Sequence, residues 1–190
     1  RWIIADVDGC LTPEESVVWD LARLTRLAEL TRAAADGTGP LPPITLCTGR
    51  PQPYVEVLAK ILDVRAPATC ENGAVFYTLA DNRAWYADGV TPERLKGLRA
   101  VRAFIETEIL PAYPGTVLQF GKEAQISIFC ETPQRLEPIG PRIAEFVAER
   151  GGPALDINMS QYYLNISLAG VNKGAAIEQL LRQLGVRREE

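Results

Sequence analysis

The chain has 190 residues, a net charge of −4 and no histidine, and these features exclude several classes of function. The negative charge argues against a nucleic-acid-binding protein that depends on a broad basic surface. The absence of histidine excludes Ser-His-Asp and Cys-His catalysis. No apolar run reaches the roughly 18 residues of a membrane span. We therefore expect neither nucleic acid nor a membrane as partner.

Short apolar runs alternate with amphipathic segments over residues 1–70. The pattern predicts a strand at 2–5, a helix at 16–35, a strand from Pro43 to a glycine turn, a helix at 51–62 and a strand at 66–70. The first helix is predicted from apolar positions that begin at Val17 and recur at spacings of three and four. Strand, helix, strand, helix, strand in this order indicates a parallel sheet with right-handed crossovers.

The pattern changes from about residue 77. It predicts a strand at 83–87, a helix at 91–109, a hairpin of 115–120 with 124–130, a proline-bearing helix at 133–150, and strands at 155–157 and 162–168. This order is typical of an α+β domain. A helix at 174–184 then resumes the first pattern. We predict an α/β protein with a Rossmann-like parallel core, residues 1–76 and 169–190, and an inserted α+β domain, residues 77–168.

The four cysteines show no Cys-x-x-Cys spacing, and without histidine a zinc site would lack its usual ligands. We expect reduced, mostly buried thiols in a cytoplasmic protein. The chain starts without Met at a core strand, with no signal peptide ahead of it, and it stops soon after a helix stop signal at Gly185. We expect it to be part of a longer protein, with the C-terminal strands of the core beyond residue 190.

Asp6-Val7-Asp8-Gly9 follows the first predicted strand directly. In open α/β sheets, ligands bind at the carboxyl ends of the strands. Two carboxylates there can hold Mg²⁺, or can act as nucleophile and proton donor. The same residues also form ordinary turns. They resemble the start of a calcium loop as well, but Val17 stands where an EF-hand needs Glu.

Two further motifs carry groups that can bind phosphate. Thr48-Gly49-Arg50 follows the second strand, where a hydroxyl and turn amides ahead of a helix can hold an anion. Lys173 stands at the head of the last helix, where it can act as a point charge on phosphate oxygen. The alternatives are a helix N-cap for Thr48 and a solvated lysine. Arg50, Asn72 and Asn172 either contact substrate or stabilise turns.

In this order and with this insertion, the motifs closely resemble those of the haloacid dehalogenase (HAD) superfamily of phosphatases. The resemblance covers nearly the whole chain, in the branch with a type II cap, the Cof-like and sugar-phosphatase group. The matching segments are Asp6-Val7-Asp8-Gly9-Cys10-Leu11-Thr12, Leu46-Cys47-Thr48-Gly49-Arg50, Glu71-Asn72-Gly73-Ala74 and Val171-Asn172-Lys173-Gly174. Cys10 stands where Thr is more usual. The fourth motif of the family, which supplies further carboxylates for Mg²⁺, would come after Leu184.

The resemblance implies a role for each matched residue. Asp6 would attack phosphorus and form an aspartyl-phosphate, and Asp8 would protonate the leaving group and then activate water. Mg²⁺ would bind Asp6 and Asp8. Phosphate would be bound by Thr48, Gly49 and Lys173, and other parts of the substrate by Arg50, Asn72, Gly73 and Asn172.

The inserted domain would act as a cap that selects the substrate. Candidate residues on its face are Glu123, Gln125, Asn158, Ser160 and Gln161. Trp85, Tyr86, Tyr162 and Tyr163 are interpreted as core and surface of the cap rather than a sugar platform. The expected function is Mg²⁺-dependent hydrolysis of a small phosphorylated metabolite, a sugar phosphate or a phosphoglycolate or phosphoglycerate type. The alternatives are a phosphomutase of the same fold and a HAD-like binding protein without turnover.

Overall fold

The computed structural model describes residues 1–13 and 18–187. The start of the predicted first helix, at Val17 and the residue before it, lies outside the described residues, as do residues 188–190. In chain order the elements are β1 (Ile3–Ala5), α1 (Leu21–Ala35), β2 (Ile44–Leu46), α2 (Gln52–Leu62), β3 (Ala68–Cys70), a 3₁₀ turn (Glu71–Gly73), β4 (Val75–Thr78), β5 (Arg83–Tyr86), α3 (Pro92–Phe104), a π-helical turn (Ile105–Ile109), α4 (Leu110–Ala112), β6 (Thr116–Leu118), β7 (Gln125–Cys130), a 3₁₀ turn (Pro133–Arg135), α5 (Ile139–Glu149), β8 (Leu155–Ser160), β9 (Tyr163–Leu168) and α6 (Lys173–Leu184).

These elements form two compact units. Residues 1–87 and the residues from 172 onward form the first, and residues 88–171 form the second. The predicted boundaries were 76/77 and 168/169. Residues 77–87 lie in the first unit because β4 pairs with β3 and β5 pairs with β4. The strand β4 was not predicted.

The first unit contains the predicted parallel arrangement. β1 and β2 are parallel, with Ile3 opposite Ile44. A parallel bridge between Cys47 and Thr69 links the ends of β2 and β3. β4 and β5 extend β3 in antiparallel fashion. The α/β prediction is confirmed, and the loops after β1, β2 and β3 lie at one edge because parallel strands end on the same side.

The helix α1 begins later than predicted. The Asp20 carboxylate accepts hydrogen bonds from the main-chain N–H groups of Ala22 (3.0 Å) and Arg23 (3.1 Å), which caps the helix and fixes its start at Leu21. The Thr31 hydroxyl donates to the main-chain oxygen of Leu62 over 2.6 Å and ties α1 to the end of α2. Residues 18–20 are therefore not helical, although the apolar spacing extended the predicted helix to 16.

The second unit is built on one antiparallel sheet in the order β6-β7-β9-β8. Alternate side chains on its strands are apolar and buried, among them Ile126, Ile128 and Ile166. The apolar sides of α3 and α5 are buried too, and Phe104 of α3 stacks on Phe146 of α5 at 4.1 Å. Buried helix sides and one buried sheet face make up the core of this unit, as in the predicted α+β type.

Two predicted helices of this unit are interrupted near prolines. The helix predicted at 91–109 becomes a π-helical turn after Phe104. Pro111 has no N–H, and its ring crowds the carbonyl one turn back, which a wider turn relieves. The helix predicted at 133–150 begins at Ile139, because Pro138 cannot continue a helix from the preceding 3₁₀ turn.

Replacing Gly73 by Ala is expected to destabilise the protein by about 2 to 4 kcal/mol. Gly73 has φ +96°, and a Cβ there would lie 2.6 Å from both the Ala176 Cβ and the Asn172 main-chain oxygen. Gly37→Ala is the matched control, since Gly37 also has positive φ (+67°) but no atom within 4 Å of an added Cβ. That control should lose only about 1 kcal/mol. Urea unfolding at constant m measures both changes, and equal losses would contradict the close approach.

Candidate active site

Asp6 and Asp8 lie on either side of a buried valine. Val7 is completely buried. Its main-chain oxygen accepts from the N–H groups of Leu11 (2.9 Å) and Thr12 (3.0 Å), which closes a tight turn. With Val7 buried and the Asp6 and Asp8 side chains 41% and 25% exposed, both carboxylates lie away from the core. The Asp-x-Asp spacing therefore presents two acids together at the end of β1.

The Asp6 carboxylate is paired with Lys173. Lys173 Nζ donates to Asp6 Oδ2 over 2.5 Å, and the Val7 N–H donates to Asp6 Oδ1 over 2.8 Å. The two paired side chains keep 36% and 41% of their surface exposed. The pair joins the first loop of the chain to the start of α6, and a ligand can reach both groups.

The Asp8 carboxylate is held by Arg50. Arg50 Nε donates to Oδ2 over 2.8 Å and Nη2 donates to Oδ1 over 2.6 Å, a bidentate pair. Both side chains are largely buried, at 17% and 25% exposed. The guanidinium carbon also lies 4.8 Å from the centre of the Tyr54 ring. Arg50 was predicted to contact substrate, whereas here it holds the second carboxylate.

The loops after β2 and β3 are joined through their main chains. The Glu71 N–H donates to the Arg50 oxygen and the Asn72 N–H donates to the Thr48 oxygen, both over 3.0 Å. A Cβ at Gly49 would lie 3.0 Å from the Asn72 side-chain oxygen, so the two loops are in close contact. Glu71 (φ 51°) and Asn72 (φ 55°) both adopt left-handed backbone, a strained conformation for residues with side chains.

Two predicted residues make local hydrogen bonds. Thr48 is completely buried, and its hydroxyl oxygen accepts from the Arg50 N–H over 3.2 Å. It is not the N-cap of α2, because Pro51 takes that position. The Asn172 side chain accepts from the Ala175 N–H over 3.0 Å and caps α6, which makes Lys173 the first residue of that helix.

The buried thiols beside this site are poor nucleophiles. Cys47, Cys70 and Cys130 are buried and Cys10 is exposed, so the expectation of mostly buried free thiols is confirmed. Burial raises the pKa of the Cys47 thiol, Lys173 lowers it in part, and Asp6 raises it further. Burial also raises the pKa of Cys70. Both thiols are protonated at neutral pH, which excludes them as thiolate nucleophiles.

Asp6 and Asp8 offer oxygen donors of the kind that Mg²⁺ prefers. Over residues 1–13 and 18–187, no three histidine, cysteine, aspartate or glutamate side chains converge on a point. Mg²⁺ is usually bound by one or two carboxylates together with substrate phosphate oxygens and water. The Asp6 carboxylate, which is 41% exposed, fits that mode of binding, in which substrate and water complete the metal site, whereas both oxygens of the Asp8 carboxylate accept from Arg50.

The predicted cap residues and aromatics are divided between the two units. Trp85 and Tyr86 lie on β5 of the first unit, where Trp85 stacks on Phe76 at 5.5 Å. Tyr162 and Tyr163 lie in the second unit, within 6.3 Å and 5.3 Å of the Phe129 ring centre. Of the candidate specificity residues, Gln125 is buried; the exposed ones are Glu123, Asn158, Ser160 and Gln161.

No helix in the described part of the chain has both the length and the apolar composition needed to cross a lipid bilayer.

Comparison with known proteins gives one curated relative and several solved structures. No family model matches the chain. It is 24% identical over 185 residues to a phosphoglycolate phosphatase of Methanococcoides burtonii, covering 97% of this chain and 70% of that protein. It superposes on a haloacid dehalogenase-like hydrolase from Bacteroides thetaiotaomicron with TM-score 0.69 and 17% identity, covering 100% of this chain and 79% of the other.

Two further solved structures superpose on nearly the whole chain. Thermoplasma acidophilum 0175 gives TM-score 0.64 at 20% identity, covering 98% of this chain and 72% of the other. A HAD subclass IIB sugar phosphatase gives a TM-score of 0.63 at 17% identity, covering 100% of this chain and 78% of the other. At these identities the structural matches establish a shared fold.

Proposed function

We propose, from the premise that this chain has the haloacid dehalogenase fold with a second, inserted unit, that it is a phosphatase of small phosphate esters. One observation carries the proposal. Two carboxylates separated by one residue, Asp6 and Asp8, are each held by a cation from a distant part of the chain: Lys173 at the start of α6 holds Asp6, and Arg50 in the loop after β2 holds Asp8. The phosphatase names of the curated relative and of a solved neighbour support the same activity.

In the proposed first step, an Asp6 oxygen attacks phosphorus while the ester P–O bond breaks. The Val7 N–H holds one Asp6 oxygen in place, and Lys173 neutralises charge on the nucleophile and on the phosphoryl oxygens. Asp8, once released from Arg50 and protonated from water, gives that proton to the leaving alkoxide. In the second step, water attacks the phosphorus of the aspartyl-phosphate, Asp8 takes the water proton, and inorganic phosphate leaves with Asp6 restored.

Arg50 controls the proton donor in this scheme. Both Asp8 oxygens accept hydrogen bonds from Arg50 in the structure, so at least one must be released before Asp8 can protonate a leaving group. We assign Arg50 to orienting Asp8 in the resting enzyme and to moving toward the negatively charged substrate when it binds. The Tyr54 ring gives the guanidinium a surface along which to shift.

An Asp6 carboxylate oxygen and the Asp8 main-chain oxygen would hold Mg²⁺. When bound, the ion neutralises charge on the phosphoryl oxygens. The second unit is assigned to substrate selection.

Phosphate release from a panel of esters tests the activity. The panel contains 2-phosphoglycolate, 3-phosphoglycerate, sugar 6-phosphates and p-nitrophenyl phosphate, each with Mg²⁺ and with EDTA. We expect hydrolysis with Mg²⁺ and a fall of about 100-fold or more with EDTA. Folded protein that releases phosphate from none of the esters would favour a binding protein. Phosphoryl transfer to a second sugar hydroxyl, in place of release, would favour a phosphomutase.

A further inference from the structure

Three consecutive residues with left-handed backbone follow β3. Glu71 has φ +51°, Asn72 has φ +55° and Gly73 has φ +96°. Asparagine adopts this region more readily than most residues that carry a side chain, and glutamate adopts it rarely. Backbone strain of this kind persists where the surrounding structure holds it in place, and it concentrates at functional sites. The contacts of this turn, residues 71–73, therefore indicate what the strain serves.

The first two residues of the turn hold the loop that carries Arg50. The Glu71 N–H donates to the Arg50 main-chain oxygen and the Asn72 N–H donates to the Thr48 main-chain oxygen, both over 3.0 Å. The Arg50 N–H donates to the Thr48 hydroxyl over 3.2 Å. Because the N–H and the oxygen of Arg50 are both bonded, the turn helps to fix the point from which the Arg50 side chain extends to Asp8.

The third residue of the turn lies tightly against α6. A Cβ added at Gly73 would lie 2.6 Å from both the Ala176 Cβ and the Asn172 main-chain oxygen. The turn therefore has no room to shift toward α6. A change in the backbone angles of Asn72 must instead displace the N–H groups on its other side. The left-handed conformation of Asn72 lets the turn contact α6 and the Arg50 loop at once.

We propose that Asn72 is a positioning residue for the Arg50–Asp8 pair. Its backbone conformation aims two N–H groups at the Arg50 loop, and from there Arg50 reaches both Asp8 oxygens, over 2.8 Å and 2.6 Å. In this role Asn72 acts through Arg50, whereas the sequence predicted a substrate contact. The inference rests on the proposed function, because Asp8 is the proton donor of that mechanism.

Three substitutions at position 72 separate the backbone from the side chain. Asn72→Gly removes the side chain and adopts left-handed backbone freely. Asn72→Ala disfavours that backbone, and Asn72→Val disfavours it most, because β-branched residues are outliers there. Asn82→Val is the matched control. Asn82 has φ +49°, lies in the same unit beyond the far end of β4, and accepts from the Tyr77 hydroxyl over 2.9 Å, so the control also loses a contact.

Turnover of an alkyl phosphate at saturating Mg²⁺ is the first measurement. We expect kcat to fall about 10-fold in Asn72→Ala and about 100-fold in Asn72→Val with little change in KM, the scale on which displacement of a catalytic group acts. Asn72→Gly and Asn82→Val should stay within about twofold of the wild-type kcat. Urea unfolding establishes that each variant is folded in the assay. If Asn72→Val does not fold, the comparison of Asn72→Ala with Asn72→Gly still decides.

The Nε–H signal of Arg50 in a ¹⁵N–¹H NMR spectrum reports on the pair without any substrate. Asp8 Oδ2 accepts from this group over 2.8 Å, so its proton should exchange slowly with water. Arg50→Lys identifies the signal by removing it. We expect the signal to shift or broaden in Asn72→Ala and Asn72→Val. It should be unchanged in Asn72→Gly and Asn82→Val.

The outcomes separate this inference from the proposed activity. If esters are hydrolysed but Asn72→Ala and Asn72→Val keep the wild-type kcat or the wild-type Arg50 signal, the positioning role is overturned and the phosphatase stands. Equal losses of kcat in Asn72→Val and Asn82→Val would also overturn it. If Asn72→Gly is as slow as Asn72→Val, the side chain itself acts, and a substrate contact replaces the positioning role. If no ester is hydrolysed but the Arg50 signal changes as expected, Asn72 positions Arg50 and the proposed activity falls.

Discussion

Asp6→Asn is expected to lower the turnover of every phosphate ester by about 10⁴-fold or more, the scale on which removal of a nucleophile acts. An amide oxygen cannot attack phosphorus as a carboxylate does, while asparagine keeps the shape of the side chain and can still accept from the Val7 N–H. The Asp6–Lys173 pair is more than one-third exposed, so its loss should cost at most about 1 kcal/mol of stability. Phosphate release and urea unfolding measure the two effects.

Asp36→Asn is the matched control for this variant. Asp36 also forms an ion pair in the first unit, with Arg65 Nη2 at 2.7 Å, and both side chains are half exposed. The substitution removes the same charge from a comparable pair, away from Asp6 in the sequence. It should leave turnover unchanged. Asp6→Asn that hydrolyses esters at the rate of Asp36→Asn would exclude Asp6 as the nucleophile.

Asp8→Asn is expected to affect esters according to their leaving groups. For alkyl phosphates, loss of the proton donor should lower turnover by about 10²- to 10⁴-fold. p-Nitrophenolate leaves without a proton, so the first step should survive with p-nitrophenyl phosphate. The second step still lacks its base. Rapid mixing should therefore show a stoichiometric burst of p-nitrophenol followed by slow turnover.

Arg50→Lys separates proton transfer by Asp8 from the orientation of Asp8 by Arg50. Lysine keeps the charge beside Asp8 but cannot form the bidentate pair. Its effect on alkyl esters should be smaller than that of Asp8→Asn, because the proton donor remains. If Asp8→Asn slows alkyl and aryl esters equally and shows no burst, Asp8 acts only by positioning its neighbours.

The parallel core could be predicted because each of its elements carries a local signal. Apolar runs ending at Asp6, Thr48 and Glu71 indicated strands, and parallel strands bring their carboxyl ends to one edge whatever lies between them. The strand β4 was missed because the predicted parallel sheet required a helix between successive strands. Val75–Thr78 instead follows β3 after a short turn and pairs with it in antiparallel fashion. That error placed the first domain boundary too early and assigned Trp85 to the insertion.

The bidentate Asp8–Arg50 pair could not be predicted from spacing. The two residues are 42 positions apart, and an arginine after a glycine turn can face substrate, solvent or a neighbouring acid equally well. The burial of Gln125 could not be predicted either. It was a candidate for substrate contact, but its side chain is fully buried and its Oε1 accepts from Lys122 Nζ over 3.0 Å.

Trapping of the proposed covalent intermediate tests the central claim most directly. Full-length protein is mixed with Mg²⁺ and a ³²P-labelled phosphate ester, quenched in acid, digested, and its labelled peptide sequenced. The proposed mechanism predicts label on Asp6 in the wild-type protein, more label in Asp8→Asn, where the second step is slow, and none in Asp6→Asn. Phosphate release without labelled protein, or label on another residue, would contradict it.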